Sequence, residues 1–172
     1  MTPIPATPAD ADALGAMHVQ AWRETYAGLV PQQVLDRLDP DARARMWRSA
    51  IGAGTNVFLW RDPDAIVGFG ACGPPRDSDL PYSGEISALY VLRHAQRRGL
   101  GRTLMAALAR ALAGAGRHNA ALWVLHSNLP AQRFYAALGG RMVAERTRTR
   151  DEWTLREFAY AWDDVATLLQ RA

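Results

Sequence analysis

A strand that runs into two glycines and continues as a helix is the feature that most limits how this chain can fold. Residues 85–92 (EISALYVL) alternate as a β-strand does, and residues 100–114 repeat their leucines at helical spacing. Gly99 and Gly101 lie at the junction, where glycine lets the backbone turn sharply and approach a ligand closely. The first N–H groups of a helix lack internal partners, so this junction predicts a site for an anion.

Further strands and helices are predicted on both sides of the junction. The strands cover residues 3–7, 56–60, 66–73, 85–92 and 120–125, and residues 140–148 and 152–162 form a closing antiparallel hairpin. The helices cover residues 10–26, 31–38, 40–51, 100–114 and 130–138, with a last helical turn or two within 163–171. A turn is predicted at residues 61–64. The order βααβββαβαββ predicts one mixed α/β domain over residues 1–172.

The charged residues are divided unevenly along the chain. All 20 basic residues are arginine, and residues 86–144 contain eight of them but no Asp or Glu. This segment carries a formal charge of +8, whereas the other residues hold 12 arginines against 17 acids, or −5. An arginine-rich genome would explain the absence of lysine, but it would not explain why the acids avoid one segment. The local positive charge therefore predicts an anionic ligand.

Two familiar nucleotide sites do not fit the junction. A P-loop needs a lysine, and the chain has none. A dinucleotide fingerprint would need Gly or Ala at position 104, which is leucine, and an acid about 20 residues later, where the segment has no acid. Nucleic-acid binding is disfavoured because the arginines centre on one glycine turn while the remaining chain is net acidic.

Other classes of protein are excluded by simple counts. Cys72 is the only cysteine, so the chain has neither an internal disulfide nor a cysteine-based zinc cluster, and we expect no metal. No apolar run approaches the roughly 18–20 residues that span a bilayer, so no membrane partner is expected. The N-terminal residues lack the basic and apolar parts of a secretory signal, and we expect a cytoplasmic protein.

Two motifs resemble those of the GCN5-related N-acetyltransferase (GNAT) family. Residues 96–101 (QRRGLG) are similar to its Q/R-x-x-G-x-G/A pyrophosphate loop, and ALYVL before them looks like its fourth strand. Residues 122–140 resemble its second motif through Asn128, Ala131, Phe134 and Tyr135. The likeness covers nearly the whole chain and implies a mostly antiparallel sheet flanked by helices. It departs at Gly140, where the family often has an aromatic residue.

The resemblance implies acetyl-CoA as cofactor, whose phosphates would suit the acid-free segment. Main-chain N–H groups from Arg97 to Arg102 would hold the pyrophosphate, and Leu89, Tyr90 and Val91 would bind the pantetheine arm through their main chains. The N–H of Val91 or of a neighbour would polarise the thioester carbonyl. The full set of cofactor residues that the resemblance implies is Leu89, Tyr90, Val91, Gln96, Arg97, Arg98, Gly99, Leu100, Gly101, Arg102, Thr103, Asn128, Ala131 and Phe134.

Direct acetyl transfer to an amine requires a base and an acid. The resemblance implies Tyr135 as the acid that protonates the departing thiolate, although the same residue would also fit as helix packing. Glu85 is the candidate base, since it begins the catalytic strand and is the last acid before the acid-free segment. His126 and water remain alternatives. Asn128 is expected to contact the cofactor, to cap the following helix, or both.

The acceptor site is expected opposite the cofactor, between the first helices and the closing hairpin. Trp22 and Tyr26 lie one helical turn apart and would bind the acceptor, with core packing as the competing interpretation. Asp77 and Asp79 could attract a cationic amine. The acceptor would be an amine of a small molecule or a peptide, and the resemblance is compatible with a homodimer. A non-catalytic CoA-binding regulatory module remains the alternative function.

Overall fold

The alternation of strands and helices folds into one seven-stranded sheet that positions every helix. This computed structural model describes residues 2–63, 65–77, 79–150 and 153–171, without the side chains of Arg150 and Arg171. The strands are β1 (Ile4–Pro5), β2 (Asn56–Asp62), β3 (Ala65–Gly73), β4 (Gly84–Val91), β5 (Ala120–Leu125), β6 (Arg141–Arg150) and β7 (Trp153–Trp162). The helices are α1 (Ala11–Tyr26), α2 (Gln32–Asp36), α3 (Pro40–Gly52), α4 (Leu100–Gly114), α5 (Leu129–Ala137) and α6 (Ala166–Arg171).

The sheet has the order β1-β2-β3-β4-β5-β7-β6, and its named pairs are antiparallel except β4–β5. The predicted mostly antiparallel sheet is thus confirmed. The structure has three helices between the first two strands and α6 after the last strand, as the predicted helices at residues 10–26, 31–38, 40–51 and within 163–171 require, whereas the order βααβββαβαββ counts only two before β2. Pro40 begins α3, and Asp39 caps it by accepting hydrogen bonds from the N–H groups of Asp41 and Ala42. The turn predicted at 61–64 includes Asp64, which lies outside the described residues, and β2 extends to Asp62.

Two apolar clusters cover the two faces of the sheet. Helices α1 and α3 pack with Phe69 and Ala71 of β3 on one face. Helix α4 packs with Ile86 of β4 and Leu122 of β5 on the other. Gly15 lets α1 and α3 approach closely, since a Cβ at this position would lie 2.6 Å from a main-chain atom of Ala44. These helices hold the central strands from both sides, which fixes the one place where the sheet opens.

The opening lies between β4 and β5. These parallel strands are paired only at Gly84–Ala120 and Glu85–Ala121, and beyond those pairs they diverge. The resulting wedge is bounded by residues 86–91 of β4 and 122–125 of β5. An irregularity in the pairing of β3 with β4, between Ala71 and Cys72, lies beside the base of the wedge. The fold thus leaves one edge of a central strand unpaired inside the molecule.

Candidate active site

The main chain of β4 presents hydrogen-bonding groups to the wedge. The N–H of Leu92 donates to the C=O of Val67 in β3 at 2.9 Å, so strand alternation directs the main chain of Tyr90 toward β3 as well. The N–H groups of Leu89 and Val91 therefore face away from β3, into the wedge. This geometry corrects the predicted main-chain role of Tyr90, because the sheet already uses its backbone.

The loop after β4 forms the second part of the site. Gly99 has a φ of +84° and Arg97 a φ of +62°, and this left-handed backbone turns the chain into α4. Among the described residues, no group accepts a hydrogen bond from the N–H of residues 97–101. The N–H groups of Arg102 and Thr103 both donate to the C=O of Gly99, at 3.0 and 3.2 Å. The predicted N–H set is thus corrected from 97–102 to 97–101.

Neighbouring side chains hold this loop in place. The Nε2 of Gln96 donates to the C=O of Val91 at 2.9 Å, which ties the loop to the end of β4 and leaves the N–H of Val91 available. Leu100 is buried with Val67 and Ala95, so only its main chain can meet a ligand. The hydroxyl of Thr103 donates to the C=O of Leu100 at 2.9 Å. The side chains of these predicted cofactor residues therefore stabilise the conformation of the loop.

Gly101 connects the loop to α5. A Cβ at this position would lie 3.2 Å from the ring of Phe134, so the glycine lets the two helices approach. Asn128 precedes α5, and its Oδ1 accepts from the N–H of Ala131 at 3.3 Å. The predicted capping role of Asn128 is confirmed, and its amide NH₂ donates to no described residue. Ala131 and Phe134 are partly exposed beside the loop.

Acids from outside the acid-free segment meet its arginines. Arg98 pairs with Asp62 at the end of β2 at 2.8 Å, and both side chains are partly exposed. The main-chain N–H of Arg93 donates to Glu24 of α1 at 2.7 Å. Arg97 is exposed next to the free N–H groups. The positive charge predicted from the sequence is therefore partly neutralised by acids that the fold brings in.

Tyr135 lies on α5 and is 8% exposed. Its ring contacts Phe134, Tyr160 and Trp162, and its hydroxyl makes no hydrogen bond to a described residue. Burial raises the pKa of Tyr135 above its ordinary value, and the nearby Tyr90 raises it further. The phenol is thus protonated at neutral pH, and its hydroxyl proton is not donated to any described residue.

Gly140 follows Tyr135 by five positions and explains the departure from the family motif. A Cβ at Gly140 would lie 2.8 Å from the ring of Trp162 and 2.9 Å from the C=O of Tyr135. The indole N–H of Trp162 donates to the C=O of Leu138 at 3.0 Å. An aromatic ring from β7 therefore occupies the space beside α5, and the residue at 140 must be small.

Glu85 lies at the base of the wedge and is 8% exposed. Its Oε2 accepts from the main-chain N–H of Arg76 at 2.7 Å, and its Oε1 accepts from the Nε and Nη2 of the same residue at 3.0 and 2.5 Å. The hydrogen bond to Glu85 raises the pKa of Arg76. Sequence reasoning missed this partner.

The side chain of His126, the alternative candidate base, is exposed and stands edge-on to Phe158, with 5.0 Å between the ring centres.

Aromatic side chains form the wall of the wedge next to α1. The hydroxyls of Tyr26 and Tyr90 lie 3.1 Å apart, and the rings of Trp22 and Tyr26 are 4.8 Å apart. Burial raises the pKa of Tyr26, as do Tyr90, Tyr135 and Glu157 nearby. The indole N–H of Trp22 is buried without a hydrogen-bond partner among the described residues. This aromatic wall brings together the two predicted acceptor residues and Tyr90.

His18 supports the aromatic wall from behind. Its Nδ1 accepts from the indole N–H of Trp47 at 2.9 Å, and its ring stands 5.2 Å from that of Tyr90. Burial, and to a smaller extent the positive charge of Arg43, lower the pKa of His18 to about 3. His18 is therefore neutral and acts as a packing residue and hydrogen-bond acceptor.

Asp77 and Asp79, which the sequence suggested could attract a cationic amine, are paired with arginines of β6. The Nη1 of Arg146 donates to Asp77 at 3.2 Å and to Asp79 at 3.3 Å, and Arg148 donates to Asp77 as well. The Nε of Arg146 donates to Glu157 of β7 at 2.7 Å. Arg146 and Glu157 were not predicted, because no local pattern links β6 to residues 77 and 79.

Within the described residues, no helix has the length and apolar character needed to cross a membrane.

Comparison with known proteins gives a consistent result. The family model described as "Acetyltransferase (GNAT) family" matches residues 19–139. The uncharacterized N-acetyltransferase YuaI of Bacillus subtilis is 32% identical over 160 residues, which cover 92% of this chain and 91% of that protein.

Solved structures with the same architecture extend the comparison. The ribosomal-protein-alanine N-acetyltransferase of Brucella melitensis has a TM-score of 0.74 and 21% identity, covering 94% of this chain and 99% of that one. The putative acetyltransferase yncA of Salmonella typhimurium, determined with its cofactor acetyl-CoA, has a TM-score of 0.71 and 22% identity. It covers 94% of this chain and 92% of that one. At these identities the likeness concerns the fold.

Proposed function

Because this chain belongs to the acetyltransferase (GNAT) family and is an N-acetyltransferase, we propose that it transfers acetyl from acetyl-CoA directly to a primary amine of a small molecule or peptide. One observation carries the proposal. The unpaired edge of β4 is followed, a few residues later, by five consecutive N–H groups, at residues 97–101, that have no hydrogen-bond partner among the described residues. Such an edge suits an amide-bearing arm, and such N–H groups suit a pyrophosphate.

The residues of the loop fit this cofactor. The main chains of residues 97–101 would bind the pyrophosphate, with Arg97 and Arg98 supplying positive charge beside it. Leu89 and Val91 would bind the pantetheine arm through the N–H groups that face the wedge. Asn128, Ala131 and Phe134 would contact it from α5. A structural relative determined with acetyl-CoA supports the choice of cofactor.

When bound, acetyl-CoA supplies an activated acetyl thioester. The N–H of Leu89 or Val91 would donate a hydrogen bond to the thioester carbonyl and would stabilise negative charge on its oxygen. The Oη of Tyr135 holds the proton that the departing thiolate requires. Because burial keeps this phenol protonated, it remains a donor throughout the neutral range.

The acceptor amine must lose a proton before it attacks, since an amine with a pKa near about 10 is mostly protonated at neutral pH. Glu85 lies about 13 Å along β4 from Leu89, at roughly 3.3 Å per residue, so it would receive this proton through water. Arg76 donates hydrogen bonds to both carboxylate oxygens of Glu85, and these contacts hold the carboxylate in place at the base of the wedge. His126 and bulk water are the alternatives for this step.

The aromatic wall would bind the acceptor. Trp22 and Tyr26 offer flat apolar surface, and the hydroxyls of Tyr26 and Tyr90 offer hydrogen bonds next to the wedge. Asp77 and Asp79 are less suited to attract a cation than the sequence suggested, because both are engaged by Arg146.

Two measurements on the full chain test this function. Isothermal titration should give a dissociation constant for acetyl-CoA in the micromolar range, and release of free thiol should depend on a primary amine from a panel. Absence of binding at millimolar acetyl-CoA would refute the cofactor. Binding without amine-dependent thiol release would favour the regulatory module instead.

The base is tested by the pH dependence of kcat/KM in Glu85→Gln and His126→Gln. Loss of the acidic limb of the profile in only one variant would identify the group that accepts the proton. An unchanged profile in both variants would leave water as the base.

A further inference from the structure

Arg146 makes contacts that no other described arginine combines. Its side chain starts on the edge strand β6, passes Glu157 of β7 and ends over Trp123 of β5, with 3.8 Å between the guanidinium carbon and the ring centre. Its Nη1 also reaches Asp77 and Asp79. One side chain thereby joins three strands to the β3–β4 loop, whose described residues are 74–77 and 79–83.

Burial makes this contact strong and specific. The side chains of Arg146 and Glu157 are 16% and 18% exposed, so their ion pair at 2.7 Å is only weakly screened by solvent. A guanidinium can donate in several directions within one plane while its face lies on an aromatic ring. A lysine could not make the same contacts with Glu157, two aspartates and Trp123.

The β3–β4 loop is fixed at a second point. The main-chain N–H and the guanidinium of Arg76 both donate to Glu85, at the base of the wedge. Between the two fixed points, the loop and the strands line a half-open pocket with a volume of about 20 Å³. Pro75, Asp77, Asp79, Leu80, Glu85 and Trp123 contribute to its lining. The loop therefore lies over the base of the wedge, and Glu157, which binds Arg146, lies near enough to Tyr26 of the aromatic wall to raise the pKa of that phenol.

We propose that Arg146 is a positioning residue that holds the β3–β4 loop against the acceptor side of the wedge and so sets the shape of the acceptor site. The proposal rests on the proposed function for its catalytic meaning. Asp77, Asp79 and Glu157 then serve to anchor the loop, and their charges are not available to bind a polycation. The acceptor is recognised by shape and by hydrogen bonds from the aromatic wall.

Hydrogen exchange of the full chain, followed by mass spectrometry, tests the position of the loop without an acceptor. In Arg146→Met, peptides that cover residues 74–83 should exchange about tenfold faster, and the amide of Arg76 is the most informative reporter. Because Arg146→Met leaves the largely buried carboxylate of Glu157 without its partner, the double variant Asp77→Asn/Asp79→Asn is measured in parallel. That variant removes the contacts of the loop with Arg146, together with those of Arg148, at two partly exposed residues. It should also speed exchange of the loop.

Arg156→Met is the matched control, because Arg156 lies on β7 next to Glu157 and pairs at 2.9 Å with Glu145 of β6, without a hydrogen bond to a described residue of the loop. Its loop peptides should exchange as in the unmodified chain. Unchanged exchange in both test variants, or equal acceleration in Arg156→Met, would overturn the proposal.

Kinetics with the most active amine of the panel give the second readout. The test variants should raise the KM for the amine about tenfold and leave the KM for acetyl-CoA within about twofold. An equal rise in both KM values would mean general destabilisation and would overturn the positioning role. If no amine reacts, the proposed function fails, and the exchange experiment still decides whether Arg146 holds the loop.

Discussion

The two sides of the wedge are built in opposite ways. The side proposed to bind the cofactor, called the cofactor side, comes mainly from one continuous stretch, residues 89–103, with α5 beside it, and presents mainly main-chain groups with exposed arginines around them. The side proposed to bind the acceptor, called the acceptor side, is assembled from α1, the β3–β4 loop and strands β4 to β7, and consists of side chains held together by hydrogen bonds and ion pairs.

Because of this difference, the two sides should respond differently to substitutions. Main-chain N–H groups are present whatever the side chains are, so the cofactor side depends on backbone conformation, above all at Gly99. The acceptor side depends on the identity of each side chain. Substitutions should therefore act on cofactor affinity through the backbone on one side and on turnover or packing through side chains on the other.

The largest effect is expected from Tyr135→Phe, at the boundary between the two sides. Loss of the proton donor should reduce kcat by about 10²–10⁴-fold and leave the affinity for acetyl-CoA nearly unchanged. The hydroxyl makes no hydrogen bond to a described residue, so the melting temperature should change little. Tyr160→Phe, whose ring lies 6.1 Å from that of Tyr135, is the control. A kcat within twofold of the unmodified protein would assign Tyr135 to packing.

Gly99→Ala should weaken the cofactor side without touching the acceptor side. With a φ of +84°, alanine at this position would cost roughly 1–2 kcal/mol or shift the turn, so we expect about tenfold weaker binding of acetyl-CoA in calorimetry. Gly114→Ala, at the end of the same helix, has open space for a Cβ and should bind normally. Equal affinities in the two variants would show that the loop conformation is not what binds the cofactor.

The acceptor side should make the protein sensitive to mild acid through His18. Its folded pKa of about 3 lies below the unfolded value of 6.5, so stability from the neutral imidazole is present above pH 6.5 and is lost as the pH falls toward 3. Between about pH 6.5 and 5, the free energy of unfolding should fall by up to about 1.4 kcal/mol per pH unit.

Urea unfolding of His18→Gln tests this slope. The Gln amide oxygen can still accept from Trp47 but does not titrate, so the slope should become smaller. His118→Gln alters an exposed histidine and serves as the control. If both variants keep the slope of the unmodified protein, His18 is not its source.

The smallest effect is expected from Arg98→Gln on the cofactor side. Arg98 is exposed and already shares its charge with Asp62, so affinity for acetyl-CoA should fall only about two- to fivefold. The difference should shrink as salt is raised, because exposed charges are screened. Arg110→Gln, nearer the other end of α4, should have no effect. A larger loss for Arg98→Gln that persists at high salt would mean that side chains, and not the backbone, dominate this side.

Much of the cofactor side could be predicted from the sequence because its parts are neighbours along the chain. The strand, the glycine turn and α4 follow one another, and their geometry arises from local backbone preferences. Capping by Asn128 is similarly local, since it joins residues three positions apart. The orientation of the Tyr90 backbone was not accessible in this way, because it depends on the register between β3 and β4.

The acceptor side was predicted only in part. Trp22 and Tyr26 were found from their spacing on one helix, but Tyr90 joins them from 64 positions further along the chain. Glu85 was identified, whereas its partner Arg76 was not, because nothing in a loop sequence specifies where its arginine will point. The roles of Tyr135, Glu85, Trp22 and Tyr26 remain predictions until they are measured.

By itself, the sequence determined the elements, the family and a candidate anion-binding loop, since these depend on periodicity, glycine conformation and short-range hydrogen bonds. Only the tertiary structure decided which N–H groups are free and why Gly140 must be small. It also decided that Arg146 meets Asp77, a contact between residues 69 positions apart. Such long-range contacts follow from the packing of the whole sheet, and no local stretch of sequence encodes them.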